Sequence, residues 1–149
     1  MRTTKKLLTL CTISAVSLFS LVACSKDTAT SLKDGVYTKT AAEAENGYIH
    51  TMSMTVKDGK ISEINWDGTD ADGNKKSQLS LDGKYVMTPD GPTWAAQSEA
   101  LSKHVIEKQS TSELKMDEQG KTDAVSGVSI KIKGFVDFAD ALIEKATKK

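Results

Sequence analysis

The sequence has few of the residues that build disulfides, metal centres and nucleophilic active sites. Its only cysteines are Cys11 and Cys24, so the chain beyond residue 24 carries no thiol. A disulfide, a thiolate metal site and a cysteine nucleophile are therefore excluded for that part of the chain. His50 and His104, the only histidines, suggest neither a zinc site nor a catalytic triad, because no further ligand or suitably spaced serine accompanies them. The sequence also lacks a glycine-rich phosphate loop and a dinucleotide fingerprint, which argues against ATP and NAD binding.

The first 24 residues have the pattern of a lipoprotein leader. Three basic residues among the first six precede an apolar stretch over residues 7–22, which predicts a signal peptide over residues 1–23. The end of this stretch, Leu21-Val22-Ala23-Cys24, resembles the bacterial lipobox, whose cysteine receives acyl chains such as palmitate. We therefore expect Cys24 to be a lipid anchor that holds the mature protein on the extracytoplasmic face of the cell membrane. An ordinary signal peptide with an incidental cysteine is the alternative.

Removal of the leader sets the charge and the size of the mature chain. It leaves 17 Lys and Arg residues against 20 Asp and Glu residues. The resulting net charge of −3 gives no reason to expect a nucleic-acid partner. Residues 24–33 are polar and lack apolar periodicity, so we predict a lipidated cysteine and a tether there. Residues 34–149 suffice for one compact domain and are too few for two.

The first half of this domain has the pattern of antiparallel strands. A turn at Asp34-Gly35 leads into the first strand, and residues 48–56 alternate as a half-buried second strand does. Asp58-Gly59 predicts a two-residue hairpin turn into a third strand over residues 61–66. With that turn Ile61 shares a face with the second strand's apolar residues, whereas Ile64 and Trp66 have the opposite parity. Either a β-bulge or burial of both faces reconciles the pattern.

The second half has the pattern of helices. Residues 67–89 carry scattered glycines and charges, which predicts a loop with one short strand at most. A helix is predicted from Pro92 to about Gln109, because Trp94, Leu101 and Val105 recur at helical spacing. A turn over residues 117–120 precedes a last helix with a continuous apolar stripe, formed by Phe135, Phe138, Ala139, Leu142, Ile143 and Ala146.

The run Asp123-Ala124-Val125-Ser126-Gly127-Val128-Ser129 resembles the acceptor pattern of the FMN-binding domain family. In that pattern an Asp, a Ser or Thr and a Gly precede a final Thr or Ser that carries FMN through a phosphoester. Val128 stands where the family usually has Ala, and a β-branched residue there predicts crowding beside the acceptor. Further similar residues are spread over most of residues 34–146, namely Asp34, Gly35, Tyr37, Asp58 to Ile61, Trp94, Gln97, Leu101, Ala141, Leu142 and Ala146.

The resemblance implies a single α+β domain, a small antiparallel sheet flanked by helices, which agrees with the order of strands followed by helices. It implies covalent FMN on Ser129, with Asp123, Ser126 and Gly127 completing the acceptor motif. A flavin transferase that uses FAD and magnesium would recognise Asp123 and Gly127 and attach the cofactor. A helix start just past Ser129 would favour the phosphate through free amide groups and the helix dipole. Trp94 either stacks on the flavin or packs in the core.

The function implied is that of an electron carrier, not an enzyme, which accepts electrons from a membrane-bound reductase outside the cytoplasm. FMN suits this role because it exchanges one or two electrons. The alternative is a surface lipoprotein that keeps the fold without covalent flavin and serves as a binding or adhesion module. The leader segment over residues 18–23 also resembles the hydrophobic signalling peptides that some lipoprotein leaders release.

Overall fold

Three strands followed by three helices form the domain in the computed structural model, which describes residues 31–147. The elements are β1 (Gly35–Thr40), β2 (Ile49–Lys57), β3 (Lys60–Thr69), α1 (Lys76–Leu81), α2 (Trp94–Lys108) and α3 (Lys133–Thr147). The strands form one antiparallel sheet in the order β1-β2-β3. The expected α+β architecture is therefore confirmed. The predicted signal peptide, Cys24 and most of the tether lie outside the described residues.

The tight turn between β2 and β3 is of the kind the sequence predicts. Asp58 and Gly59 both have positive φ, 53° and 74°, as a type I′ turn requires. The carboxylate of Asp34 accepts the backbone N–H groups of both residues, at 3.0 and 2.8 Å. Asp34, which directly precedes β1, therefore holds the turn between β2 and β3 in place.

A β-bulge resolves the parity conflict in β3. Val56 pairs with Ile61, but the preceding residue Thr55 pairs with Glu63, so Ser62 is the extra residue. The bulge turns Ile64 and Trp66 to the same covered face as Ile61, and all three are buried. Of the two alternatives, the bulge is confirmed.

The core lies between the sheet and the two long helices. α2 packs on β3, and α3 packs on β1 and β2. The alternation predicted for β2 is confirmed, since its inward residues His50, Met52, Met54 and Val56 are all buried. The stripe of α3 is confirmed at Phe135, Ala139, Leu142 and Ala146, while Phe138 and Ile143 are half-buried and Val136 is buried as well. Among residues 31–147, no helix has both the length and the apolar character needed to cross a bilayer.

Residues 67–89, which were predicted as a loop, contain a helix, α1, that no sequence signal predicts. α1 starts after Lys75, whose side chain makes no capping hydrogen bond. The cap comes from Asp67 at the end of β3, whose carboxylate accepts the backbone N–H of Ser77 at 3.0 Å and also its hydroxyl. Because the capping group lies ten residues upstream, no local start signal precedes α1. The expectation of a loop with one short strand is therefore wrong for Lys76–Leu81.

The start of α2 also differs slightly from the prediction. Thr93 is the N-cap, and its side chain accepts the N–H of Ala96 at 3.1 Å. Pro92 therefore precedes the cap and is not the first helical residue. Trp94 is therefore the first residue of α2, at the end of the helix that contacts residues 123–129, here called the acceptor loop.

Candidate functional site

The motif that resembles an FMN acceptor forms an exposed loop before α3. Gly127 has a φ of 78°, and no described heavy atom lies within 4 Å of where a Cβ would stand, so the backbone conformation alone requires glycine. Val128 turns into the core, where it is 9% exposed, whereas Ser129 is exposed. The crowding expected from Val128 is therefore wrong, because the side chain is part of the core packing. The hydroxyl of Ser129 donates to the side-chain oxygen of Gln97 in α2, at 3.4 Å.

A buried glutamine of α2 holds this loop in place. The Oε1 atom of Gln97 accepts the backbone N–H of Ser129 at 2.7 Å and that of Ile130 at 3.1 Å. Its Nε2 atom donates to the carbonyl of Pro92 at 3.0 Å, and the side chain is only 2% exposed. The expectation of free amide groups next to Ser129 is therefore wrong for residues 129 and 130. The expected helix start just past Ser129 is also displaced, because α3 begins only at Lys133. In the sequence analysis, Gln97 appears only among the residues that are similar to the family, and no role was predicted for it.

Ser129 and Trp94 lie on the wall of the same cavity, which has a volume of about 630 Å³. The start of α3 also reaches this cavity, through Lys133 and Gly134. The other motif residues do not line it: Ser126 and Gly127 lie on the exposed loop, and Asp123 borders a separate depression of about 290 Å³. A third cavity, of about 340 Å³ between β3 and α2, contains none of the motif residues.

The inner wall of the main cavity is aromatic. The rings of Trp66 and Trp94 lie 5.2 Å apart, and His50 stacks on Trp66 at 5.2 Å with 25° between the planes. Phe135 closes the cluster with its ring edge-on to Trp66 at 5.5 Å. Trp94 is 3% exposed, so it both packs in the core and lines the cavity. Stacking on a flavin and packing in the core, the two roles considered for Trp94, are therefore compatible. The ring packs against core residues while the residue also lines the cavity.

Two buried nitrogen atoms of this wall have no hydrogen-bond partner among the described residues, Nε1 of Trp66 and Nδ1 of His50. Burial, followed by the nearby charge of Lys76, lowers the pKa of His50 below its ordinary value, so the ring is neutral at pH 7. A neutral imidazole offers one donor and one acceptor, and an indole offers one donor. Leaving such groups unpaired costs free energy. Both atoms are buried within the wall, and His50 Nδ1 lies against Gly68 of β3.

A buried lysine is the feature of the cavity that the sequence did not predict. Lys76 of α1 is 5% exposed, and its Nζ lies 4.8, 4.9 and 5.0 Å from the ring centroids of Tyr48, Tyr85 and Trp94. Within residues 31–147 its ammonium group has no hydrogen bond and no ion pair. Burial lowers the pKa of Lys76, and the charges of Glu45 and Asp67 oppose that shift. No sequence signal identified it, because it lay in a segment predicted as loop.

The rim of the cavity adds further positive charge. The charged lining residues are Lys76, Lys121, Lys131 and Lys133 against Glu45 and Glu118. Lys133 is paired with Asp137, with Nζ 2.6 Å from the carboxylate. The excess of cationic over anionic lining residues favours an anionic ligand, such as one that carries a phosphate. The aromatic wall and this positive charge fit a ligand with an aromatic ring and a phosphate, such as FMN.

No family model and no curated protein matches the chain. Two solved structures, both targets of the Northeast Structural Genomics Consortium, share its fold. A solution NMR structure of a protein from Clostridium thermocellum is 36% identical, with 78% of this chain and 94% of that chain covered at a TM-score of 0.58. A crystal structure of the CPE2226 protein from Clostridium perfringens is 26% identical, with 77% and 88% covered at a TM-score of 0.55. This chain therefore belongs to the same family as the Clostridium thermocellum protein.

Proposed function

We propose that this protein is a membrane-anchored, extracytoplasmic flavoprotein that carries electrons through FMN attached by a phosphoester to Ser129. The observation that carries the proposal is the position of Ser129, an exposed hydroxyl-bearing residue on the wall of a cavity of about 630 Å³ with an aromatic inner side. Small-molecule sites have volumes of about 300–1,000 Å³ and apolar walls with a few polar groups. The cavity has that size, and it combines an aromatic inner wall with a largely polar and charged rim.

The residues of the chain have separate tasks in this proposal. Ser129 supplies the Oγ atom for the phosphoester, while FAD, held by a flavin transferase, supplies the FMN phosphate and releases AMP. Gln97 fixes the backbone that carries this hydroxyl. Trp94 and Trp66 provide the surface on which a flavin ring rests, and FMN supplies one- and two-electron chemistry when bound. Asp123 and Gly127, which lie on the exposed loop, serve in recognition by the transferase.

Attachment to a membrane gives the carrier its place in electron transfer. We propose that Cys24 bears the lipid and that residues 24–33 form the tether between the lipid and the domain. A membrane-bound reductase is then the electron donor, and the protein acts as a carrier, not as an enzyme. A covalent bond suits this location, because a cofactor held outside the cell by weak contacts alone is lost by dilution.

The test is covalent flavin loading after co-production with a flavin transferase. Denaturing gels read by flavin fluorescence compare the unaltered chain with Ser129→Ala, Ser129→Thr and Ser112→Ala. The control is Ser112→Ala, because it removes an exposed hydroxyl that lies outside the acceptor motif and does not line the cavity. We expect fluorescence for the unaltered chain, for Ser129→Thr and for the control, and none for Ser129→Ala.

Each unexpected result has a distinct meaning. A fluorescent band of full brightness from Ser129→Ala moves the attachment to another residue. A colourless unaltered chain with an intact fold refutes the flavoprotein and favours the binding or adhesion module. Asp123→Asn adds a test of recognition: we expect reduced loading, because the transferase loses a carboxylate it recognises while Ser129 Oγ is unchanged.

A further inference from the structure

We propose that Lys76 stabilises the negative charge that a flavin ring in this cavity gains on reduction, and thereby sets the reduction potential of the protein. The inference rests on the proposed function, since it assumes that FMN on Ser129 occupies the cavity. It goes beyond that function because it assigns the electrostatic control of the cofactor to a residue outside the acceptor motif.

The position of Lys76 supports this assignment. Ser129 and the buried amine of Lys76 line the same cavity, and three aromatic rings surround the amine at about 5 Å. A phosphate on Ser129 would be held at the exposed loop, which would leave the aromatic wall, where Lys76 lies, to the flavin ring.

The ammonium group of Lys76 forms no ion pair and no hydrogen bond among residues 31–147. Its close contacts are the three aromatic rings, and burial lowers its pKa, although the charges of Glu45 and Asp67 oppose that shift. Burying a cation without an anionic partner is costly, and an added negative charge nearby removes that cost. Aromatic faces attract the cation but do not replace a counter-ion. The site is thus prepared for a negative charge that appears inside the cavity.

Reduction supplies such a charge. Two electrons and one proton added to the neutral oxidised ring leave the ring with one negative charge, and the electrons come from the reductase. Lys76 interacts with that charge in a place shielded from water, where a charge pair is stronger than at the surface. The oxidised ring carries no such charge, so the interaction favours the reduced state and raises the potential.

The experiment compares the midpoint potential of FMN-loaded protein with that of Lys76→Met and Lys131→Met, measured by dithionite titration. The control Lys131→Met removes the same charge from an exposed position on the same cavity. We expect Lys76→Met to weaken the preference for reduced over oxidised flavin by about tenfold or more, which is about 30 mV for a two-electron couple. Lys131→Met is expected to shift the potential less than a third as far, because water screens its charge.

A second measurement uses the unaltered loaded protein, in case Lys76→Met does not fold. The ¹³Cε resonance of Lys76, followed against pH, should show a higher pKa in the reduced protein than in the oxidised protein, and Lys131 should show a much smaller change. Equal potentials for the two variants, or no change in the Lys76 titration on reduction, overturn this inference while the proposed function stands. A chain that takes up no flavin at all overturns both, and the gel assay on the unaltered chain detects that outcome first.

Discussion

Replacement of Gln97 by Ala tests whether this one side chain holds the acceptor loop. The change removes the acceptor of the Ser129 and Ile130 N–H groups, the donor to Pro92, and a long contact of 3.4 Å with the Ser129 hydroxyl. The three hydrogen bonds to backbone groups contribute about 1 kcal/mol net each and the long one little, so the expected loss is about 3 kcal/mol. Because Ser129 is exposed, its freed N–H can bond to water, and the further cost of an unpaired buried group does not apply in full.

Two assays measure this loss. In urea, an m-value of about 1.5 kcal/mol/M converts about 3 kcal/mol into a midpoint lower by about 2 M. In amide hydrogen exchange, the Ser129 and Ile130 N–H groups should exchange about a hundredfold faster, because local opening no longer requires the Gln97 contacts to break. The exchange rates of the β2 amide groups, measured in the same experiment, provide the internal reference.

The matched control for this substitution is Gln78→Ala. Gln78 is an exposed glutamine of α1 with one hydrogen bond to Asp82, at 2.8 Å. An exposed contact of this kind should change stability by less than about 0.5 kcal/mol. If Gln97→Ala behaves like this control in both assays, the loop is held by its own turn and not by α2, and the positioning role of Gln97 is refuted.

Three further outcomes are expected. Cys24→Ala should abolish lipid labelling and release the protein from the membrane fraction, and continued labelling would refute the anchor. Truncation after Gly134 should abolish cooperative thermal unfolding, because it removes the buried side of α3 from Phe135 onward; a soluble fragment with a sharp transition would contradict this. Val128→Ala should destabilise the fold by about 1–2 kcal/mol in urea without improving flavin loading, since Val128 packs in the core and does not crowd Ser129. Increased loading with unchanged stability would restore the crowding argument.

Much of the sheet was predictable because its signals are local. Asp58-Gly59 selects the turn through the backbone conformations that these two residues tolerate, and the alternation in residues 48–56 follows from the period of a strand. The conflict between Ile61 and Trp66 even predicted the bulge as one of two solutions. Only pairing with β2 decided between them, since the extra residue Ser62 is defined by what stands opposite it.

Neither α1 nor the buried position of Lys76 could be predicted from the sequence, and the reason is physical. The helix is short, and the group that caps it, Asp67, comes from the end of β3. A cap that arrives from another element leaves no motif beside the helix start. Because α1 was missing from the prediction, Lys76 had no expected position. Its burial depends on three aromatic rings from separate parts of the chain: Tyr48 just before β2, Tyr85 between α1 and α2, and Trp94 at the start of α2.

The sequence by itself determined the order of the three strands and the two long helices and the buried faces of β2 and α3. It also predicted an acceptor motif ending at Ser129 and a lipid anchor at Cys24. These are local patterns of residue type, and each depends on neighbours a few positions away. Tertiary structure alone decided that Ser129, Trp94 and Lys76 share one cavity and that Gln97 holds the acceptor loop. The reason is that a cavity is formed by side chains from distant parts of the chain, and their meeting depends on how α1, α2 and α3 pack against the sheet.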